Sequence, residues 1–79
     1  MKIQLRLFGI YRDFDASGKI DLDVGQGASI ADLRRALLVY AEANWPGYPA
    51  GLAAKSAFAS ETDLLRDNDA LPADGLMAV

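Results

Sequence analysis

The chain contains neither cysteine nor histidine. Without thiols there is no disulfide framework and no thiolate metal site, and the commonest general base and the most nucleophilic side chain are both missing. Its serines have no base in prospect. Catalysis by this chain alone is therefore not expected, nor is a cofactor. Basic residues are in short supply: eight against eleven acidic ones leave a net charge of −3. A nucleic-acid-binding domain needs clustered Lys and Arg to displace counterions, so that class is excluded. Long apolar runs are also missing, which excludes a membrane-spanning segment. Met1-Lys2 leads straight into alternating residues, without the unbroken apolar core and small-residue cleavage site of a secretory signal. The expected location is cytoplasmic, in keeping with the lack of cysteine.

What is there suits one small domain over residues 1–79, with a 52% hydrophobic composition. A domain of this size buries only about 60–65% of the surface its unfolded chain exposes, so apolar packing must suffice on a modest core. The charge is uneven. Five carboxylates (Glu61, Asp63, Asp67, Asp69, Asp74) surround one base, Arg66, whereas Lys2, Arg6 and Arg12 are the only charges in the first twelve residues. Such a dipolar surface can steer a protein partner; solvated loop carboxylates explain it equally well.

Ile3, Leu5 and Leu7 alternate with Lys2, Gln4 and Arg6, the two-residue period of a half-buried strand. Phe8 and Ile10 carry the apolar character past Gly9. The stretch from Arg12 to Gly18 reads as a polar turn. Ile20, Leu22 and Val24 then alternate with Lys19, Asp21 and Asp23, so the two runs predict an antiparallel hairpin. Ser29-Ile30-Ala31-Asp32 has the form of a capping box. It opens a stripe of Ile30, Leu33, Leu37, Tyr40 and Ala41 that predicts a helix to Ala43, with Arg34 and Arg35 on a solvated face. Asn44 in a left-handed conformation, with Pro46 and Pro49, is expected to end it, and Trp45 and Tyr48 to cap the core. Another helical turn is expected over Gly51 to Lys55. Short strands follow at Ser56 to Ser60 and at Leu64-Leu65, with a turn at Glu61-Thr62-Asp63 between them. Leu71-Pro72 reads as a turn anchored by one core leucine, and Ala73-Asp74-Gly75 as a tight turn into a last strand at Leu76 to Val79. The order β-β-α-β-(β)-β predicts an α+β fold of the β-grasp (ubiquitin-like) type. One main helix lies across a mixed sheet, and the last strand runs parallel to the first in its middle.

Three stretches carry a family likeness: Leu7-Phe8-Gly9-Ile10-Tyr11-Arg12-Asp13, Ala28 through Leu37, and Leu64 through Val79 with its Leu71-Pro72-Ala73-Asp74-Gly75 turn. In that order and spacing the chain resembles the small subunit of molybdopterin synthase (MoaD), one of the ubiquitin-like sulfur carriers that include ThiS. The resemblance implies a carrier with no catalytic group of its own. An E1-like adenylating enzyme activates the C-terminal carboxylate, sulfur transfer makes a thiocarboxylate, and the molybdopterin synthase large subunit receives the tail. It further implies partner-binding roles for Phe8, Arg12 and Leu64. Ordinary packing for the two apolar residues and a solvated charge for Arg12 are the alternatives.

The family's tail ends in Gly-Gly, because a narrow channel must close over backbone beside the reacting carboxylate and any Cβ would obstruct it. This sequence stops at Val79, inside the expected last strand. Strand and tail are therefore expected to be incomplete as given; a relative that kept the fold and lost the carrier role is the other reading. A binding-only ubiquitin-like module and a ThiS-like carrier for thiazole synthesis remain open as functions. Three other patterns resemble chemical motifs without meeting their requirements. Asp21 and Asp23 share a strand face, but as a solvent-facing polar stripe. Asp67-Asn68-Asp69 lacks the glycine and distant glutamate of a calcium loop. Gly25-Gln26-Gly27 lacks the third glycine of a dinucleotide fingerprint and follows a hairpin, not a βαβ unit; it reads as turn chemistry.

Overall fold

The computed structural model describes residues 1–49, 51–60, 63–72 and 74–79. Strand β1 (Lys2–Arg6) is followed by a short helix α1 (Ile10–Phe14) and strand β2 (Lys19–Asp23). The long helix α2 (Ile30–Asn44), a single turn α3 (Leu52–Lys55), two short strands β3 (Phe58–Ala59) and β4 (Leu64–Leu65), and β5 (Leu76–Ala78) complete the order. The strands form one sheet in the order β2-β1-β5-β3-β4. β1 is antiparallel to β2, with Leu5 opposite Ile20, and parallel to β5, with Leu5 opposite Met77. β3 is antiparallel to both β5 and β4. A helix across a mixed sheet, with the last strand parallel to the first at its centre, is the β-grasp arrangement. Among the described residues no helix is long and apolar enough to cross a membrane.

The alternation of β1 and β2 turns Ile3, Leu5, Ile20 and Leu22 toward the helix, and all four are buried. The α2 stripe meets them with Ile30, Leu33, Leu37 and Ala41, while Phe58 and Met77 extend the same core across β3 and β5. Each large side chain so enclosed contributes roughly 1.5–3 kcal/mol relative to an exposed one. At the start of α2 the Asp32 carboxylate accepts the Ser29 backbone N–H at 2.9 Å and the Ser29 hydroxyl at 3.3 Å, closing the expected capping box. That backbone N–H favours the ionised carboxylate and holds Asp32 below its usual pKa. β5 is placed by Gly75. Its φ of +71° suits glycine, and a Cβ there would lie 2.7 Å from the Lys2 carbonyl oxygen. Its own carbonyl accepts the Gln4 N–H at 2.8 Å, so the close approach sets the register of β1 against β5.

Four expectations need correction or restriction. The hairpin forms, but its connection is not simply a polar turn. Ile10–Phe14 makes a helical turn that buries Tyr11, because Tyr11 and Phe14 lie three residues apart and so share one face. Helix α2 does not stop at a left-handed Asn44: among the described residues only glycines have positive φ. Asn44 is helical, and the chain leaves through an extended Trp45 whose N–H still bonds Ala41. Arg34 is not part of a solvated face. Its guanidinium donates to the carbonyls of Ala53 and Ser56, pairs with Asp67 at 2.8 Å and lies 5.0 Å from the centre of the Phe58 ring. Arg35 is exposed and pairs with Asp32. Of the two turns expected at 61–63 and 73–75, Glu61, Thr62 and Ala73 lie outside the described residues.

Trp45 is buried at the end of the core, with the rings of Tyr11, Phe14, Tyr40 and Tyr48 all within 6.2 Å of it, centre to centre. A directed hydrogen-bond chain runs through this cluster. The Ser56 hydroxyl donates to the Leu52 carbonyl at 2.7 Å. It must therefore accept from Tyr11, whose own oxygen then accepts from Tyr48 at 3.0 Å. Burial first, then the bond to Tyr11, pushes the Tyr48 phenol well above its usual pKa. Beside the cluster, the Ser17 hydroxyl and backbone N–H, followed by Trp45, hold Asp15 below the usual carboxylate range.

Candidate partner-docking face

Residues that alternate away from the helix form the other face of the sheet. On β1 these are Lys2, Gln4 and Arg6, and the same parity carries Phe8 onto that face just past the strand end. The register sets Arg6 beside Ala78, Ala78 beside Ala59 and Ala59 beside Leu64, while Leu76 lies beside Gln4. The two alanines are too small to fill the surface between their neighbours. The result is a shallow groove of about 250 Å³ bounded by Arg6, Phe8, Ser60 and Leu76, with Ala59 and Ala78 lining it.

The apolar part of this face is exposed. Phe8 is 54% exposed, Leu64 75% and Leu76 41%. An exposed leucine alone means little, but three large apolar groups on one sheet face mark a surface able to bury area against a partner. Arg6 contributes a cation inside the same groove. Among the described residues no polar or charged side chain is buried. The chain runs out of β5 along this groove: Val79 donates its N–H to Arg6 and accepts the Phe8 N–H, each at 3.0 Å.

Of the three residues marked in the sequence, Phe8 and Leu64 share this face. They are three strand spacings apart, about 14–15 Å. Arg12 is exposed on α1, beside Gly18 at the hairpin end, and does not line the groove. The sequence reading missed Arg6 and Leu76. The parity that gives Phe8 gives Arg6 as well, whereas Leu76 sits in a three-residue strand whose facing is decided by its pairing with β1.

No family model matches the sequence, and no curated protein matches it significantly. A solved structure does. The crystal structure of SAMP1 from Haloferax volcanii superimposes with a TM-score of 0.67 over 99% of this chain and 91% of that one, at 16% sequence identity. The two share the β-grasp fold. With identity that low, the likeness shows the fold alone: a shared path of the backbone.

Proposed function

We propose that this chain is the sulfur-carrier small subunit of a molybdopterin synthase, acting in the cytoplasm in molybdenum cofactor biosynthesis. It is not an enzyme by itself. An E1-like adenylating enzyme activates its C-terminal carboxylate, a sulfur donor converts the acyl-adenylate to a thiocarboxylate, and the synthase large subunit takes the sulfur. The observation that carries this reading is the placement of β5. Central and parallel to β1, it delivers the chain to Phe8 at the margin of the apolar groove, so a segment continuing past Val79 leaves beside the surface a partner grips. The three sequence stretches that resemble the MoaD family and the fold shared with SAMP1 support it. Phe8 and Leu64 supply the apolar grip, and Arg12 reaches acidic partner groups at the rim.

The test is intact-mass analysis of the natural protein incubated with the adenylating enzyme, ATP and a sulfur donor. Replacement of one carboxylate oxygen by sulfur at the C-terminus is expected. Failure to consume ATP, with binding of the large subunit retained, would point instead to a binding-only module. The exposed groove favours that second reading, since it needs no tail to function. A carrier for thiazole synthesis would give the same mass change but would deliver its sulfur to a different acceptor enzyme.

A further inference from the structure

On the exposed face of the sheet, the facing residues of β1 and β2 change in charge from one end to the other. Met1 and Val24 exchange hydrogen bonds and Leu7 donates to Gly18, so the odd-numbered residues of β1 make the hydrogen-bonded pairs with β2. Between them stand Lys2 with Asp23, Gln4 with Asp21 and Arg6 with Lys19. These are the close, non-hydrogen-bonded kind, with Cα atoms about 4.5 Å apart. Lys2 has an opposite charge across from it, and Gln4 is neutral. Arg6 faces Lys19, a like charge directly opposite, which destabilises a ladder. On its β5 side Arg6 adjoins Ala78, and among the described residues no carboxylate lines the groove. The ion pairs among the described residues are Arg34 with Asp67 and Arg35 with Asp32, so neither Arg6 nor Lys19 has a counter-charge there. Of the carboxylates at this end of the hairpin, Asp15 is occupied by Ser17, and Asp13 and Asp21 form no ion pair among the described residues.

Both side chains of this like-charged pair are exposed. Arg6 lines the groove, and Lys19 stands beside it on the side away from β5. A carboxylate placed between them would turn one repulsion into two attractions. Its two oxygens suffice for both donors, one for the guanidinium and one for the ammonium. We infer that the Arg6–Lys19 pair receives a carboxylate side chain of a protein partner, an aspartate or glutamate that enters next to an apolar side chain seated in the groove. The apolar neighbour argues for a protein segment over a free anion. Phe8, two residues from Arg6 on the same face, is 54% exposed, and Leu76 is 41% exposed; only a ligand with apolar groups covers them. A partner offering a cation at this point would meet two like charges and be rejected. Arg12 does not line the groove and is no part of this receptor. The inference rests on the docking face proposed above, and not on the sulfur-transfer step.

The test uses the full chain, ¹⁵N-labelled, with a capped peptide carrying one aspartate flanked by leucines, its asparagine counterpart, and inorganic phosphate. The aspartate peptide is expected to shift the Arg6, Phe8 and Lys19 amide signals, with half-saturation at about 1 mM. The asparagine peptide should bind about fivefold more weakly at low salt, the effect of two exposed ion pairs. That gap should close at about 1 M salt. The Arg6→Gln, Lys19→Gln double variant alters only exposed side chains, and its amide spectrum checks the fold. It should bind the two peptides equally, whereas Lys19→Arg and Arg12→Gln should each keep the preference for aspartate. Equal binding of the two peptides by the parent chain overturns the inference and leaves the apolar docking face standing. Phosphate shifting the same signals as strongly as the aspartate peptide would mark a plain anion site, which also overturns it. Shifts from neither peptide overturn the inference and the docking face together. The carrier reading is decided apart from all of these, by the mass change at the C-terminus.

Discussion

Asp32 and Tyr11 each do work that their residue type alone does not announce. The folded state lowers the Asp32 pKa, so its contribution to stability is fully present above the unfolded value of about 3.8 and is lost as pH falls through the folded one. Asp32→Asn is expected to melt below the parent at pH 7, with the gap closing as both are acidified beneath pH 3.8; thermal melts across that range check it. Tyr48 runs the opposite way. Its raised pKa means that stability is retained below the usual phenol value of 10.0 and declines as pH climbs above it. Tyr11→Phe removes the middle link between Tyr48 and Ser56. Leaving the half-buried Tyr48 hydroxyl short of its acceptor should cost about 1 kcal/mol in urea unfolding. The same variant should let Tyr48 ionise at lower pH, which phenolate absorbance would follow. A Tyr48 titration unmoved by that change would show that burial alone sets it.

Among the elements, the two that depend on periodicity were legible in the sequence. Alternation marked β1 and β2, and a capping box with a 3.6-residue stripe marked α2 to within one residue of its end. Helix α1 was not legible, since its five residues, two of them charged, satisfy a turn as readily as a helical turn; Tyr11 settles the matter by docking against Trp45. Arg34 was misread for a related reason. Nothing within a helical turn of it hints at partners 19, 22 and 33 residues further on. It ties α2 to Ala53 within α3, to Ser56 just past that helix and to Asp67 in the loop after β4. Arg34→Ala should therefore destabilise the protein by about 1.5–3 kcal/mol, the range for hydrogen bonds to charged groups. Arg34→Lys should recover only part of this, because a single ammonium cannot span carbonyls and carboxylate as a planar fork does. Arg35→Ala, on the exposed side of the same helix, should stay within about 0.5 kcal/mol. Urea unfolding of the three variants separates these outcomes.

For the whole molecule, the buried core and the exposed apolar groups Phe8, Leu64 and Leu76 lie on opposite sides of one sheet, so mutations should separate stability from the proposed docking. Phe8→Ala and Leu64→Ala remove side chains that are mostly exposed, and each should leave the melting temperature nearly unchanged. If the proposed carrier role and docking face hold, the two substitutions together should weaken binding of the proposed large subunit by about tenfold or more. Isothermal titration against that subunit gives the answer, and unchanged affinity would move the interface elsewhere. Phe8 could be found by counting parity from Ile3. Arg6 follows from the same parity, but the parts of the face on β3, β4 and β5 do not, because strands of two or three residues have no period to read and their neighbours are set by long-range pairing.

That pairing has a consequence for how the molecule comes into being. The front hairpin and the β3–β4 pair meet only through β5, the last strand of the described chain. β5 must therefore have left the ribosome before the two halves can share a sheet, and until then β1 and β3 each present a bare flank. Contacts this distant in sequence are slow to form. Nascent or prematurely stopped chains lacking Leu76 to Ala78 should be the species that aggregate or draw chaperones, long after α2 has emerged.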